Sequence, residues 1–509
     1  MTAAPANTLT LKNTKVVGDK IMMSASNINI EGAELAGKDI AIRSIAKGQI
    51  EKTATDEITT MTAAPTNTLT VKNTKVTGDQ IKMLGGKVDV ADDVKFGFDA
   101  GSNEAHLMVA AAKSYSKNNK DNKETMEAST EQGSDVAFHA TVESHADRNA
   151  EVNIGGATVN LDRAKFRMPQ GTLSAVAIAS AEDSNAEVDH ARTEKAVTKA
   201  TAANTLQADG MTIEGDHTRT NIYAGSVDLK NTTVKTPGKI EIEAYTSREW
   251  TGKNNGQIVE KNLRAGTDNL VRLENTKLLS AAAEANGWIK WVQIYGGAVD
   301  IKDSELTSDH CVDVSALQSM DEVLLKDSPD SSHWYFPNYT MQKGEYHAGA
   351  ENYLQISNSK LHANLASWNK YEKPDCYVSA IGGKVSLKNV DMKSARDIDV
   401  YALREANSGE TADGDKGEIK SDTGNVLDMR GVTIEAGGVV EIWGGKTQMK
   451  ASSVQAGKID IAAASKTRTA YPFREIYPTA ETSNTLYLED VKLKSQANAM
   501  DYAGETDLM

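Results

Sequence analysis

The sequence predicts an all-β chain wound as a right-handed parallel β-helix, a solenoid of about fifteen three-stranded coils. Three observations predict it. A short apolar motif recurs through the 509 residues. The fifth position of that motif is nearly always Asn, Asp or Gly. Aromatic residues are scarce, 5% against 39% hydrophobic overall, which suits a narrow core of Val, Ile, Leu and Ala.

The motif reads apolar-x-apolar-x-turn residue-x-x-apolar. It is seen in Leu9-Thr-Leu-Lys-Asn13-Thr-Lys-Val16 and in Ile28-Asn-Ile-Glu-Gly32-Ala-Glu-Leu35. It returns at Val227–Val234, Val271–Leu278, Val299–Leu306, Leu354–Leu361, Val385–Met392, Leu427–Ile434 and Leu486–Leu493. It is most degenerate near Val88, Val136 and Thr447. Residues 1–20 and 61–80 nearly repeat one another, from MTAAP to the closing VVGDK or VTGDQ, so a duplication lies at the start.

The alternation is that of a strand with one buried face. Asn, Asp and Gly at the fifth position tolerate a left-handed backbone, so the chain bends there. The apolar residue three places later opens a second short strand. A third follows, as in Lys20-Ile-Met-Met23, Lys239-Ile-Glu-Ile-Glu-Ala244 and Lys458-Ile-Asp-Ile-Ala462. One such coil cannot bury its inner face, so coils must stack. Right-handed winding follows from the handedness of parallel crossovers. Stacking would align corner residues Asn13, Asn73, Asn231, Asn275, Asn358 and Asn389, either as a ladder of amides or as plain turn chemistry.

Two kinds of coil alternate. From Leu9 to Ile28, and from Leu69 to Val88, is about nineteen residues, whereas Ile28 to Leu69 and Val227 to Val271 are about forty. Short coils close on glycines after an aromatic or aliphatic residue: Leu84-Gly-Gly86, Ile154-Gly-Gly156, Tyr223-Ala-Gly225, Tyr295-Gly-Gly297, Ile381-Gly-Gly383 and Trp443-Gly-Gly445. Such glycines suit corners that a side chain would block. The last pair leads into Lys446-Thr447, but Val440 stands where a phosphate loop needs its first Gly. Long coils carry insertions of some twenty or more residues after the third strand, such as Tyr245 to Asn269, Ala402 to Asn425 and Ser465 to Asn484. All leave at one corner and are expected along one edge. Residues 244–250 and 257–261 read as a hairpin turning through Asn254-Asn-Gly256. The stretch Ser114 to Ser134, rich in Lys, Asn, Glu and Ser, is expected to be mobile.

The chain reads as a single continuous β-helix segment over 1–509 without a recognisable cap, as expected of part of a longer repeat protein. Net charge of −15 argues against nucleic acid as a partner. No transmembrane segment is expected, since no apolar run reaches a membrane-spanning length. Cys311 and Cys376 fall on successive third strands but one residue out of step, which favours two free thiols over a disulfide. No metalloprotease, hydrolase-elbow or Cys-x-x-Cys pattern occurs, so neither catalytic residue nor cofactor is assigned. Acidic residues at outward positions, as in Asp397-Ile-Asp-Val400, read as a solvated face. Asp413-Gly-Asp415-Lys-Gly-Glu418 suits either calcium, though it misses the EF-hand ligand spacing, or an ordinary acidic turn, which is favoured. The cluster Trp334, Tyr335, Phe336 and Tyr339 suits either contact with a glycan or protein partner or a mini-core folding its insertion back.

The L-x-L-x-N-[TS]-x-[VL] coils with glycine corners resemble filamentous-haemagglutinin-type bacterial exoproteins over nearly the whole chain. The resemblance implies a β-helical shaft at the bacterial cell surface or outside the cell, structural and adhesive in role and not an enzyme. Its partners would be further repeats, copies of itself, or glycans and proteins on host or neighbouring cells. The alternative is a β-helical carbohydrate-active enzyme or tailspike.

Overall fold

The computed structural model describes residues 7–52, 57–98, 104–120, 123–145, 149–188, 191–215, 217–253, 258–281, 290–326, 339–364, 376–411, 414–470, 475–476 and 479–495. It is an all-β, right-handed parallel β-helix. The chain falls into two compact units, one formed by Met1–Pro237 with Tyr245–Gly256, the other by Gly238–Ala244 with Gln257–Met509.

Each unit repeats the same three-stranded coil. The first strand carries the alternating motif, as in Thr8–Lys12 and Asn27–Glu31, which pair in parallel with Leu9 beside Ile28 and Leu11 beside Ile30. The second is short, as in Lys15–Val17 beside Glu34–Ala36. The third is longer, as in Lys20–Ala25 beside Asp39–Ser44. First strands occur fifteen times among the described residues, including the degenerate copies Lys87–Val90, Asp135–Phe138 and Lys446–Lys450. Between the first and last described coils the inward positions are buried, among them Ile28, Leu35, Ile40, Leu69 and Val76. The core departs from aliphatic in one place: the rings of Phe96, Phe138 and Phe166 stack through successive coils, centroids 5.7 and 5.8 Å apart.

The fifth-position residues turn the corner as their chemistry requires. Asn13, Asn73, Asn231, Asn275, Asp303, Asn358, Asn389 and Asp490 all have φ between 44° and 53°. Gly32 and Gly431 take the same place at 64°.

The insertions do more than leave along an edge. Those of each unit form antiparallel strands that pair with one another into a lateral sheet. In the first unit the neighbours run Lys47–Lys52, Glu57–Thr62, Ser114–Lys120, Lys123–Ser129, Ser180–Val188, Ala191–Lys199 and Ser247–Lys253. In the second they run Ile258–Arg264, Ser319–Lys326, Tyr339–His347, Glu405–Thr411, Gly414–Lys420, Lys466–Ala470 and Glu475–Ile476. The expectation that Ser114 to Ser134 is mobile is therefore corrected. Its backbone polar groups are taken up by strands on both sides, and its polar composition reflects a two-faced sheet with only one face turned to the coils. Tyr115, Lys117 and Ala128 line the inner side, where the Tyr115 hydroxyl also meets Met126 Sδ at 3.9 Å.

Candidate functional site

The lateral sheet lies over the outward side of the third strands, and polar and aromatic side chains that the coil interior excludes gather in the space between them. Three local devices build it.

The first is the return from each insertion. An Asn two residues ahead of the first inward apolar position closes a tight turn on itself. Asn352 Oδ1 accepts the Gly349 N–H at 2.7 Å, and its Nδ2 donates to the Gly297 carbonyl of the previous coil at 2.7 Å. Asn67 does the same with Ala64 and Ser26, Asn204 with Thr201 and Ala157, and Asn425 with Asp422 and Gly383. All four are buried, unlike the exposed corner asparagines. These residues were missed from sequence although the signal was present: Asn-Thr-Leu at 67 and 204, Asn-Tyr-Leu at 352, Asn-Val-Leu at 425.

The second is the glycine corner. A Cβ on Gly86, Gly225, Gly297, Gly383 or Gly445 would overlap the carbonyl at the start of that return turn, namely Ala64, Thr201, Gly266, Gly349 or Asp422. The bare coil thus needs glycine because its neighbour carries an insertion. Ile154-Gly-Gly156 is one residue out of step with the others. Gly155 pairs with Ala110, which pairs with Leu84, so Ala157 occupies the corner there.

The third is the outward position two residues before the corner, held before glycines by Tyr295 and Trp443 and, in register with Trp443, by Tyr401; it lies under the lateral sheet. In the second unit Tyr295, Tyr401 and Trp443 pack with Leu263, Leu317, Met320 and Leu403 into a second apolar layer. In the first unit Tyr223 and Tyr245 stand 6.5 Å apart beside Ala200, with Arg248 stacked 4.6 Å over Tyr223.

Two residues earlier, the second unit holds a column of hydrogen-bonding side chains. The register places Glu241 beside Gln293, then Asp313, Ser379, Asp399, Glu441 and Asp460 in succession. The expectation that Asp397-Ile-Asp-Val400 belongs to a solvated face is corrected here. Asp397 Oδ1 accepts the Val439 N–H at 2.9 Å, and Asp399 stands in this column beside Glu441, which is 4% exposed. Outward from a coil is not outward to solvent once a lateral sheet covers that side.

Side chains from both layers pair with the column and its neighbours. Lys261, on the lateral sheet, reaches Glu243 at 2.8 Å and Glu241 at 3.2 Å, and Lys239 reaches Glu241 at 2.8 Å. Tyr401 donates to Glu441, and Tyr346 donates to Glu322 at 3.1 Å. Asp313 accepts from Ser379 at 2.5 Å and Ser315 at 3.0 Å. Burial raises the Asp313 and Glu322 carboxyls, and it raises the Tyr295, Tyr346 and Tyr377 hydroxyls above the ordinary tyrosine value. Such a network fastens the lateral sheet to the coil, since removing either partner would leave a buried charge uncompensated.

Of the residues singled out from sequence, the corner asparagines come together in part. Asn389 Nδ2 donates to Asn358 Oδ1 at 3.0 Å, and Asn358 Nδ2 donates to Asp303 Oδ1 at 3.0 Å. Asn231 donates instead to Asp209 at 2.7 Å. Trp334, Tyr335 and Phe336 lie outside the described residues; Tyr339 opens the strand Tyr339–His347, its side chain likewise outside them. Cys311 and Cys376 are buried free thiols, and Cys311 pairs in register with Tyr377, one residue past Cys376. Asp413 lies outside the described residues, while Glu418 pairs with Lys466 at 2.8 Å and Lys420 at 3.1 Å. Among the described residues no group of three or more His, Cys, Asp and Glu has metal-holding geometry, and no helix is long and apolar enough to cross a membrane.

No family model matches the chain, and comparison with curated proteins and with solved structures finds no match.

Proposed function

We propose that the chain is a structural and adhesive shaft segment of a bacterial cell-surface or extracellular fibre. The observation that carries this reading is how the outward positions of the first and second strands are used. They form ion pairs from one coil to the next: Lys12–Glu31 at 3.5 Å, Lys15–Glu34 at 3.1 Å, Lys277–Glu305 at 3.0 Å, Lys302–Glu274 at 3.1 Å and Lys450–Glu489 at 2.8 Å. Each exposed pair contributes about 0–1 kcal/mol. Repeated along a stack they oppose slippage between coils, which is what a load-bearing element needs. The filamentous-haemagglutinin-like repeat style supports the same assignment. The outer side of the lateral sheet is the surface offered to glycans, proteins or further copies of the chain. In the first unit it presents polar pairs such as Lys195–Glu249 at 2.6 Å.

The test is retention on surfaces coated with arrayed glycans, cell-surface proteins or the chain itself, with glycan products followed in the same samples. Retention without product is expected. Release of glycan fragments would overturn the assignment in favour of a carbohydrate-active β-helix.

A further inference from the structure

The space under the lateral sheet is filled in the second unit and hollow in part of the first. A cavity of about 430 Å³ lies between the third strands Asp39–Ser44, Gln80–Gly85 and Glu104–Ala111 and the lateral strands Glu57–Thr62, Ser114–Lys120 and Lys123–Ser129. That volume falls within the range of small-molecule sites. Its origin is legible in the register. The outward position that carries Tyr295, Tyr401 and Trp443 in the second unit is occupied here by Arg43, Leu84, Ala110 and Gly155 in successive coils. Ala110 and Gly155 are too small to meet the lateral sheet.

The walls have two characters. Ile45, Met61, Leu84, Met108 and the ring of Tyr115 make an apolar lining. Two of these are methionines, whose flexible thioethers adapt to an irregular chain. Three cations also line it: Arg43, Lys82 and Lys117. Lys117 is engaged with Glu124 at 2.7 Å. Arg43 and Lys82 make no ion pair among the described residues, and Arg43 Nε is shielded from solvent without a hydrogen-bond acceptor. A buried donor with no acceptor is costly, and a guanidinium is shaped to receive a carboxylate through two parallel N–H···O bonds.

We propose that this cavity binds a free long-chain fatty acid, its carboxylate on Arg43 with Lys82 nearby and its alkyl chain along Met61, Leu84, Met108 and Tyr115. A neutral lipid would leave Arg43 unmatched, and a small inorganic anion would leave the apolar lining empty. The site is independent of the shaft assignment, since it rests on a cavity inside one unit and not on the surface offered to partners.

The experiment is titration of the full chain with cis-parinaric acid, whose fluorescence rises in apolar surroundings. Saturable binding of one molecule per chain is expected. Arg43→Gln should weaken it about tenfold or more. The methyl ester of the same acid should bind the wild-type chain about tenfold more weakly than the acid, a difference that Arg43→Gln should erase. Ala110→Phe fills the cavity as the second unit does and should abolish binding with the far-ultraviolet circular dichroism unchanged. If that variant fails to fold, Ala128→Leu blocks the cavity from the lateral sheet. Hydrogen exchange on the wild-type chain needs no variant: saturating acid should slow residues 57–62 and 114–129. The proposal is overturned by absence of saturable binding, by ester and acid binding equally, by protection confined elsewhere, or by binding to anionic phospholipid vesicles without binding to the free acid.

Discussion

Gly383 packs directly on the carbonyl of Gly349, with no room between them for a Cβ. Gly349 opens the turn that Asn352 closes, so a corner of a bare coil is shaped by the return of an insertion into that coil. The φ of Gly383 is not what demands glycine, since its corner is absent from the left-handed positions. The demand is steric and comes from backbone, which cannot swing aside as a flexible side chain can. Gly383→Ala is expected to destabilise the second unit by about 3 kcal/mol, at the upper end of ordinary substitutions. Gly155→Ala, where the nearest contact is the Val176 carbonyl at 3.8 Å, is expected to be nearly neutral. Urea unfolding of the two variants against the parent checks both; equal shifts would refute the steric account.

The coils were legible in sequence because everything that defines them is local. Strand alternation, the left-handed corner at Asn13 or Asn358 and the second strand all fall within eight residues of one another. The alternation of short and long coils was legible for the same reason. The lateral sheet was not. Lys123–Ser129 pairs with Ser180–Val188, more than fifty residues away, and nothing in either segment names the other. Read alone, the polar run from Ser114 resembles a solvated loop. The acidic column was missed as a consequence. Asp399 alternates with inward Ile398 and Val400 as any solvent-facing residue would, and in the fold it is half-buried beside the buried Glu441.

Lys261→Met tests how the lateral sheet is held. Glu243 is fully buried and meets the Lys261 ammonium at 2.8 Å, whereas Glu241 also meets Lys239 at 2.8 Å. Removing the lysine strips this ion pair from the buried Glu243 carboxylate, and a loss of about 3–5 kcal/mol is expected. Adding Glu243→Leu removes the stranded charge and should restore most of that loss. Hydrogen exchange of 258–264 and 319–326 reads the effect locally. A double variant no better than the single one would show that the pair does not act as a unit.

His310 gives the second unit a stability that depends on pH. It lies buried beside the ion pair of Lys290 and Asp309, whose Nζ–Oδ2 distance is 3.1 Å, and its Nδ1 accepts the Lys290 N–H at 3.1 Å. Burial, then the Lys290 charge, lowers its pKa from 6.5 to about 4. Below pH 6.5 the unfolded chain takes up a proton that the folded chain refuses until about pH 4, so stability falls as pH falls through that window. The loss at the acid end is on the order of 3 kcal/mol, the worth of a fall from 6.5 to about 4. His310→Gln should flatten the dependence between those limits when unfolding midpoints are measured across pH. An unchanged slope would assign the dependence to other groups.

The corner asparagines pose a question that one position can answer, namely whether they are turn residues or rungs of a ladder. Asn358 has φ of 49°, donates to Asp303 and accepts from Asn389, each at 3.0 Å. Alanine at this φ incurs a backbone cost of about 1–2 kcal/mol and also loses both amide bonds. Glycine is free of the backbone cost and loses only the bonds, which sit at the surface where each contributes about 0.5 kcal/mol or a little more. Asn358→Gly is therefore expected to lower stability by about 1 kcal/mol and Asn358→Ala by about twice that or more. If glycine matches asparagine in thermal unfolding, the amide chain contributes nothing and the corner is turn chemistry alone. If glycine falls as far as alanine, the side-chain bonds to Asp303 and Asn389 outweigh the backbone preference, and the corner is held chiefly from coil to coil.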